Sequence, residues 1–260
     1  MRWLMIIGIL FLAGCGSVME KSSEILSEPR VQDNPMSVQL KDLPPLDAPA
    51  MTIGVYSFTD KTGQRKPNDR IANLSSAVTQ GAESWVIDAL LTAGKGTWFE
   101  VVERAGLDNL IKERQLIRST RENYLTDPAQ LQPMRFAGLI LEGGIVGYDS
   151  NVSTGGMGAR YLGIGASTEY RIDTVTVAMR IVSVETGRVL ISVATEKTIA
   201  SYKTGTNVFK FLDMGTQTLE TESGFSVNEP VNYAVRAAIE AGIIEMVYKG
   251  EQEDLWSFKQ

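Results

Sequence analysis

The chain has 260 residues, a formal net charge of −6, 43% hydrophobic residues and 22% charged residues. These values are ordinary for a globular protein, and the acidic balance excludes an electrostatic case for nucleic-acid binding. Histidine is absent from the whole sequence, which removes every histidine-based catalytic triad, general base and metal ligand.

The first residues predict where the protein resides. A short apolar run from Trp3 to Leu12 leads into Leu-Ala-Gly-Cys15, the pattern of a lipobox. The run is too short to cross a bilayer of roughly 30 Å, so residues 1–14 are interpreted as a lipoprotein signal peptide. Cys15, the only cysteine, would carry a diacylglycerol and an N-acyl chain, and no other cofactor is expected. Gly16, in place of the aspartate associated with inner-membrane retention, favours the outer membrane as the destination. The alternative to a lipobox is an ordinary secretory signal that contains a cysteine by chance.

The following part of the chain alternates between helix and strand patterns. Residues 15–50 are rich in proline and are interpreted as an acylated tether with little regular structure. Residues 51–58 alternate as a strand, and a polar loop follows at 59–72. Apolar residues from Ala77 to Leu90 recur at helical spacing, with Asn73, Ser75 or Ser76 available as the N-cap. The later predictions are strands at 98–103, 137–146, 175–181 and 189–193, helices at 107–117 and 228–247, and a turn at Thr186-Gly187.

Two segments, 153–172 and 202–226, do not fit a soluble domain. No apolar run after residue 15 approaches the roughly 18 residues that a membrane helix needs, so any spanning part must be β. Each segment has about the length of two membrane strands joined by a tight turn, and polar and apolar residues alternate along it. The residues that we predict to face a barrel lumen are Arg160, Ser167, Glu169, Arg171, Lys210, Glu220 and Glu222. Those that we predict to face lipid are Tyr161, Tyr170, Ile172, Phe209, Phe211 and Phe225.

A change of phase supports the boundary of the first segment. Tyr170 and Ile172 are apolar at even positions, whereas the apolar positions are odd from Val175 onward; this reversal places the exit from the bilayer between them. Four strands cannot close a barrel, and an open edge in lipid leaves backbone groups unpaired. Spanning strands would therefore have to be pooled by several copies. The alternative is that both segments are amphipathic hairpins that lie on the soluble domain.

The predicted organisation is therefore an α+β fold. A periplasmic α/β sandwich domain contributes two β-hairpins to a shared oligomeric transmembrane β-barrel. The domain consists of residues 51–152, with strands at 173–201 and a helix and tail at 227–260.

A family resemblance extends over essentially the whole chain from the lipobox onward. The run from Val146 to Ala166 resembles the first transmembrane hairpin of the CsgG family of curli secretion channels, and residues 60–67, 103–114 and 225–230 are also similar. The resemblance implies a homo-oligomer, with nine subunits, that exports unfolded curli-type amyloid subunits by diffusion. It also implies a periplasmic capping adaptor and a surface-side accessory factor as partners.

The family also has a pore constriction in the loop before its first helix, which corresponds to residues 63–74. The resemblance places the constriction at Asn68, Asn73 and Leu74; Leu74 stands where the family has phenylalanine, and Asn68 aligns loosely with a tyrosine. The composition of residues 63–74 alone would fit an ordinary exposed loop between a strand and a helix equally well.

Two other classes of function were considered. For an enzyme the sequence offers no site: Gly94-Lys95 lacks the other residues of a P-loop, and Gly155-Gly156-Met-Gly158 lacks the third glycine of a dinucleotide fingerprint. The stronger alternative is a periplasm-facing outer-membrane lipoprotein that binds a partner and forms no pore. Such a binding module predicts no conductance.

Overall fold

The computed structural model describes residues 34–64, 77–124, 131–155, 168–204, 208–214, 219–220 and 229–259. In these ranges the fold is mixed α/β, with helices packed on one seven-stranded sheet. The elements in chain order are α1 (Pro35–Lys41), β1 (Met51–Asp60), α2 (Ala82–Thr92), a 3-10 turn (Ala93–Gly96), β2 (Phe99–Glu103), α3 (Leu107–Tyr124), β3 (Leu139–Gly155), β4 (Thr168–Ser183), β5 (Val189–Thr204), β6 (Val208–Met214), β7 (Leu219–Glu220) and α4 (Glu229–Gln252).

The sheet has the strand order β2-β1-β3-β4-β5-β6-β7. β1 is parallel to β2 and to β3, and every later neighbouring pair is antiparallel. Parallel neighbours need long crossovers, and α2 and α3 lie in the two crossovers that this part of the sheet requires. The later strands follow one another as a meander.

One face of the sheet carries the core. Ile53, Leu141 and Ile181 are almost fully buried there, together with the buried faces of α2 and α4. Gly242 lets α4 approach β4 closely, because a Cβ at this position would lie 2.8 Å from the Met179 Cε atom. By contrast, α3 contains no buried residue.

Several predicted elements are confirmed, and the tether prediction is wrong for residues 34–50. Strands β1 and β2, helix α3, the turn at Thr186-Gly187 and helix α4 lie where the sequence patterns indicated. In the tether, however, α1 begins behind Asn34, whose side chain accepts hydrogen bonds from the Met36 and Ser37 backbone N–H groups. Pro35 occupies the first turn of that helix, where its missing N–H costs nothing. The proline was thus a helix-start signal rather than a linker signal.

The start of α2 also differs from the prediction. Asn73, Ser75 and Ser76, the expected N-caps, lie outside the described residues. The helix begins at Ala82, with Gly81 at the N-cap and no side-chain cap. Residues 77–80 are not helical; the Ala77 N–H donates to the Gln64 carbonyl, and the Gln80 side chain donates to Asp60 at the end of β1.

The two ends of the described chain meet in an aromatic clasp. Leu46 and Phe258 form an antiparallel bridge, supported by a 2.9 Å hydrogen bond from the Asp47 N–H to the Ser257 carbonyl. Trp98, which is fully buried, packs edge-on against both Trp256 and Phe258. This clasp fixes the C-terminal tail beside the residues that lead into β1.

Candidate functional site

The long strands extend the sheet into the segments that were predicted to enter a membrane. β3 and β4 stay paired from the pair of Leu139 with Ser183 to the pair of Gly155 with Thr168. β4 and β5 stay paired from the pair of Val182 with Val189 to the pair of Thr168 with Thr204. The backbone ladder therefore continues without a break from the helix-covered domain into the first predicted hairpin.

One face of β4 is buried as far as Asp173. Val177, Val175 and Asp173 are fully buried on this face, whereas Arg180 and Ile172 are exposed on the other face. The pairing of β4 with β3 and β5 contains no register shift near this point. The phase change seen in the sequence is therefore a change in which face of one unbroken strand carries the apolar residues.

A buried carboxylate marks the boundary. Asp173 is fully buried, and the Tyr148 hydroxyl donates a hydrogen bond to its Oδ1 atom over 3.1 Å. On the opposite face, the hydroxyls of Thr174 and Thr198 lie 3.2 Å apart across the β4–β5 pair. Polar side chains thus occur on both faces of the sheet at this level, beside the fully buried Ile199, which pairs with Asp173.

Strand register shows which positions share a face of the extension, because directly opposed residues in an antiparallel ladder lie on the same face. One face contains Glu169 with its opposed neighbours Lys203 and Phe209. The other contains Tyr170 with Tyr202 and Lys210.

The register also relates β6 to β4. Lys210 shares the face of Tyr170, whereas Phe209 and Phe211 share the face of Glu169 and Arg171. Glu220 lies opposite Asp213, on the face of Glu169 and Arg171. The lumen-facing and lipid-facing assignments stay predictions, and they depend on this register because an offset of one residue exchanges every side chain between faces.

The second predicted segment contains two reversals of chain direction among the described strands. β5 continues to Thr204, and β6 returns from Val208, so that Thr204 pairs with Val208. The sequence between them, Gly205-Thr-Asn207, supplies turn-forming residue types that the alternating pattern concealed. A second reversal separates β6 from β7.

Several predicted site residues lie outside the described residues: Cys15, Asn68, Asn73, Leu74, Arg160, Tyr161, Ser167, Glu222 and Phe225. These remain predictions. None of the helices in the described ranges is long and apolar enough to cross a membrane. The same ranges contain no cluster of acidic or sulfur ligands suited to a metal ion.

The predicted constriction loop leaves and rejoins the domain through a hydrogen-bonded neck, which we define as Asp60, Thr62, Gln64, Ala77 and Gln80. The Ala77 N–H donates to the Gln64 carbonyl over 2.9 Å. The Asp60 carboxylate accepts hydrogen bonds from Thr62 and from the Gln80 side chain. The two sides of the neck are thus in direct contact.

Sequence reasoning missed the neck. The available signal was Asp60-Lys-Thr62, in which an aspartate can cap the backbone two residues later as an Asx-turn. The contribution of Gln80 could not have been recognised, because nothing local links it to a residue twenty positions earlier.

Comparison with known proteins identifies the family. The family model described as the curli production assembly/transport component CsgG matches residues 34–260. The CsgG proteins of Salmonella typhimurium and Escherichia coli K12 are 40% and 39% identical to this chain, over 99% of it and 91% of their own lengths. Among solved structures, a PelC dodecamer from Paraburkholderia phytofirmans is 15% identical and covers 78% of this chain and 91% of its own, with a TM-score of 0.28. The chain belongs to the CsgG family.

Proposed function

We propose that this chain is one protomer of an outer-membrane channel that exports unfolded curli-type amyloid subunits by diffusion. Its family membership supports a role as a curli secretion component. In this proposal Cys15 carries the lipid anchor, the helix-covered domain remains in the periplasm, and the ends of β3 to β7 enter the membrane. The chain is then a transport component and not an enzyme.

The observation that carries the proposal is the extension of β3, β4 and β5 beyond the core. Their ladders continue past the buried Asp173 to the pairs of Thr168 with Gly155 and with Thr204. Strands without a packed face are only marginally stable in water. A bilayer would supply an apolar environment for one face, and the lumen would hydrate the other, as in transmembrane barrels.

The free edge of the extension supports an oligomer. Beyond Ile145, β3 no longer pairs with β1 and has only β4 as a neighbour among the described strands. In lipid each unpaired backbone group would cost several kcal/mol. Pairing β3 of one protomer with the last strand of the next satisfies that edge and closes a ring. The family resemblance suggests nine subunits.

The remaining parts of the proposal come from the resemblance. Asn68, Asn73 and Leu74 would narrow the pore, a periplasmic adaptor would cap it, and a surface-side factor would receive the cargo. No energy source is needed if the unfolded subunit diffuses and cannot return after it assembles outside.

A periplasm-facing binding module is the second candidate, and α3 favours it. The helix buries none of its residues, and its Ile111 and Leu116 side chains are 40% and 58% exposed. An amphipathic helix with exposed apolar side chains is a common docking element. This candidate needs no membrane-spanning strands.

Single-channel conductance of the purified lipoprotein in a planar bilayer distinguishes the two functions. The channel predicts steady open events with a cation preference that falls in a Glu220→Lys, Glu222→Lys double variant, because two lumen carboxylates become cations. The matched control is Glu185→Lys with Glu251→Lys, which makes the same charge change at exposed positions of the domain and should leave selectivity unaltered. Silent bilayers from a protein that is monomeric in detergent would refute the channel and favour the binding module.

A further inference from the structure

The neck contains one residue, Asp60, that bonds to both sides of the loop. Its Oδ1 atom accepts hydrogen bonds from the Thr62 backbone N–H over 2.8 Å and from the Thr62 hydroxyl over 2.6 Å. Its Oδ2 atom accepts from the Gln80 Nε2 atom over 3.1 Å. Hydrogen bonds to a charged acceptor are roughly twice as strong as neutral ones, so the carboxylate is the strongest link in the neck.

The orientation of the Gln80 amide is fixed by two acceptors. Its Nε2 atom donates both to Asp60 and, over 3.2 Å, to the Val78 carbonyl. A flipped amide would direct its oxygen at both acceptors, which is unfavourable. The Gln80 side chain therefore cannot exchange its donor for an acceptor to accommodate a changed partner.

Each side of the neck is held by the rigid part of the domain. On one side, the Lys61 N–H donates to the Ile145 carbonyl over 2.8 Å, and Gly144 permits this approach because a Cβ there would lie 2.5 Å from the Thr59 carbonyl oxygen. On the other side, Val78 is 2% exposed and belongs to the core. The neck thus joins the end of β1 to the residues that precede α2.

We propose that Asp60 is a positioning residue that fixes where the loop at 65–76 leaves the domain. The proposal rests on the proposed function, in which that loop forms the constriction. Closing a loop at its base restricts the conformations available to the residues between its ends. Asp60 would therefore keep the constriction at one height and width in every protomer, without itself touching the cargo.

The non-helical backbone at 77–80 agrees with this role. Ala77 to Gln80 could have extended α2 by one turn, yet the Ala77 N–H bonds to the Gln64 carbonyl and the Gln80 side chain reaches Asp60. The helix begins only at Ala82 and without a side-chain cap. The stability lost at the helix start is offset by closure of the neck.

Hydrogen exchange and conductance of the full-length lipoprotein test the proposal with Asp60→Asn, Gln80→Met and the double variant. The first substitution directs an amide donor at the Gln80 donor, and the second removes the Gln80 donor altogether. Protection of the Ala77 amide, measured by mass spectrometry on peptides that begin at least two residues before Ala77, should fall about tenfold in either single variant. Protection of this amide in the double variant should be little lower than in either single variant, because both changes remove the same hydrogen bond. Open-channel current should become noisier, with a wider spread of conductance levels.

The matched control is Glu83→Gln, which removes one negative charge from the first turn of α2 but leaves the neck intact. It should keep both the exchange rate and the current distribution of the unaltered protein. Unchanged exchange in Asp60→Asn, or faster exchange with an unaltered current distribution, would overturn the positioning role. An unaltered protein that forms no channel would instead be a failure of the proposed function, and exchange alone would then decide whether Asp60 closes the neck.

Discussion

The inner and outer halves of β4 are made of the same strand in different surroundings. In the inner half, from Asp173 to Ser183, the odd-numbered residues from Asp173 to Ile181 are buried under helices. In the outer half, from Thr168 to Ile172, both neighbouring ladders continue, and Ile172, on the face opposite Asp173, is exposed. The core face of β4 is thus buried as far out as Asp173, and the backbone hydrogen bonds extend past that residue. Backbone pairing alone therefore does not identify the part of a strand that belongs to the core.

The largest expected difference between the halves comes from two identical truncations in β4. Ile181→Ala should lower the free energy of unfolding by about 2–5 kcal/mol, because it leaves a cavity in the core. Ile172→Ala should change it by less than about 1 kcal/mol, because the side chain is 41% exposed. Urea unfolding of the lipoprotein in detergent, followed by tryptophan fluorescence, measures both. Equal losses would mean that the outer half has a packed core of its own.

Removing one hydroxyl group at the boundary between the halves should lower the free energy of unfolding. Tyr148→Phe removes the hydroxyl that donates to the buried Asp173 carboxylate and should cost about 1–3 kcal/mol. Tyr56→Phe, at a tyrosine that is 46% exposed on the open face of the sheet, is the control and should have little effect. The same urea titration compares them, and a neutral Tyr148→Phe would show that Asp173 does not depend on this donor.

The smallest expected effect concerns which charged residues of the outer half share a face of the sheet. Register places Lys203 with Glu169, and Lys210 with Tyr170. If Glu169 faces the lumen, Lys203→Glu should raise the cation preference of the channel, by less than about 1 kcal/mol in selectivity free energy because exposed charges are screened. Lys210→Glu should change selectivity less, and reversal potentials in a salt gradient measure both. The opposite order would mean that β6 is displaced by one residue relative to this register.

The helix-covered half was largely predictable from the sequence, because its signals are local. The alternation in β1, the helical spacing in α3 and the proline at the start of α4 each report on a few neighbouring residues. The family resemblance supplied what local patterns could not, namely the reason for two alternating segments that do not fit a soluble domain.

The features that were missed depend on contacts between distant residues. The face shared by Glu169 and Phe209 depends on two successive strand pairings, and alternation within either hairpin is compatible with both faces. Similarly, α1 is held by Ser37, whose hydroxyl donates to the buried Glu240 carboxylate over 2.9 Å. The prolines that suggested a tether give no sign that Ser37 bonds to Glu240, a residue far away in the chain.

The aromatic clasp has a consequence for the order in which the protein can mature. Leu46 cannot acquire its partner, Phe258, until synthesis has reached that residue. Until then Trp98 lacks two of the rings that pack against it. A chain that terminates before Trp256 would therefore leave part of the Trp98 surface uncovered, so the clasp can form only late in synthesis of the domain.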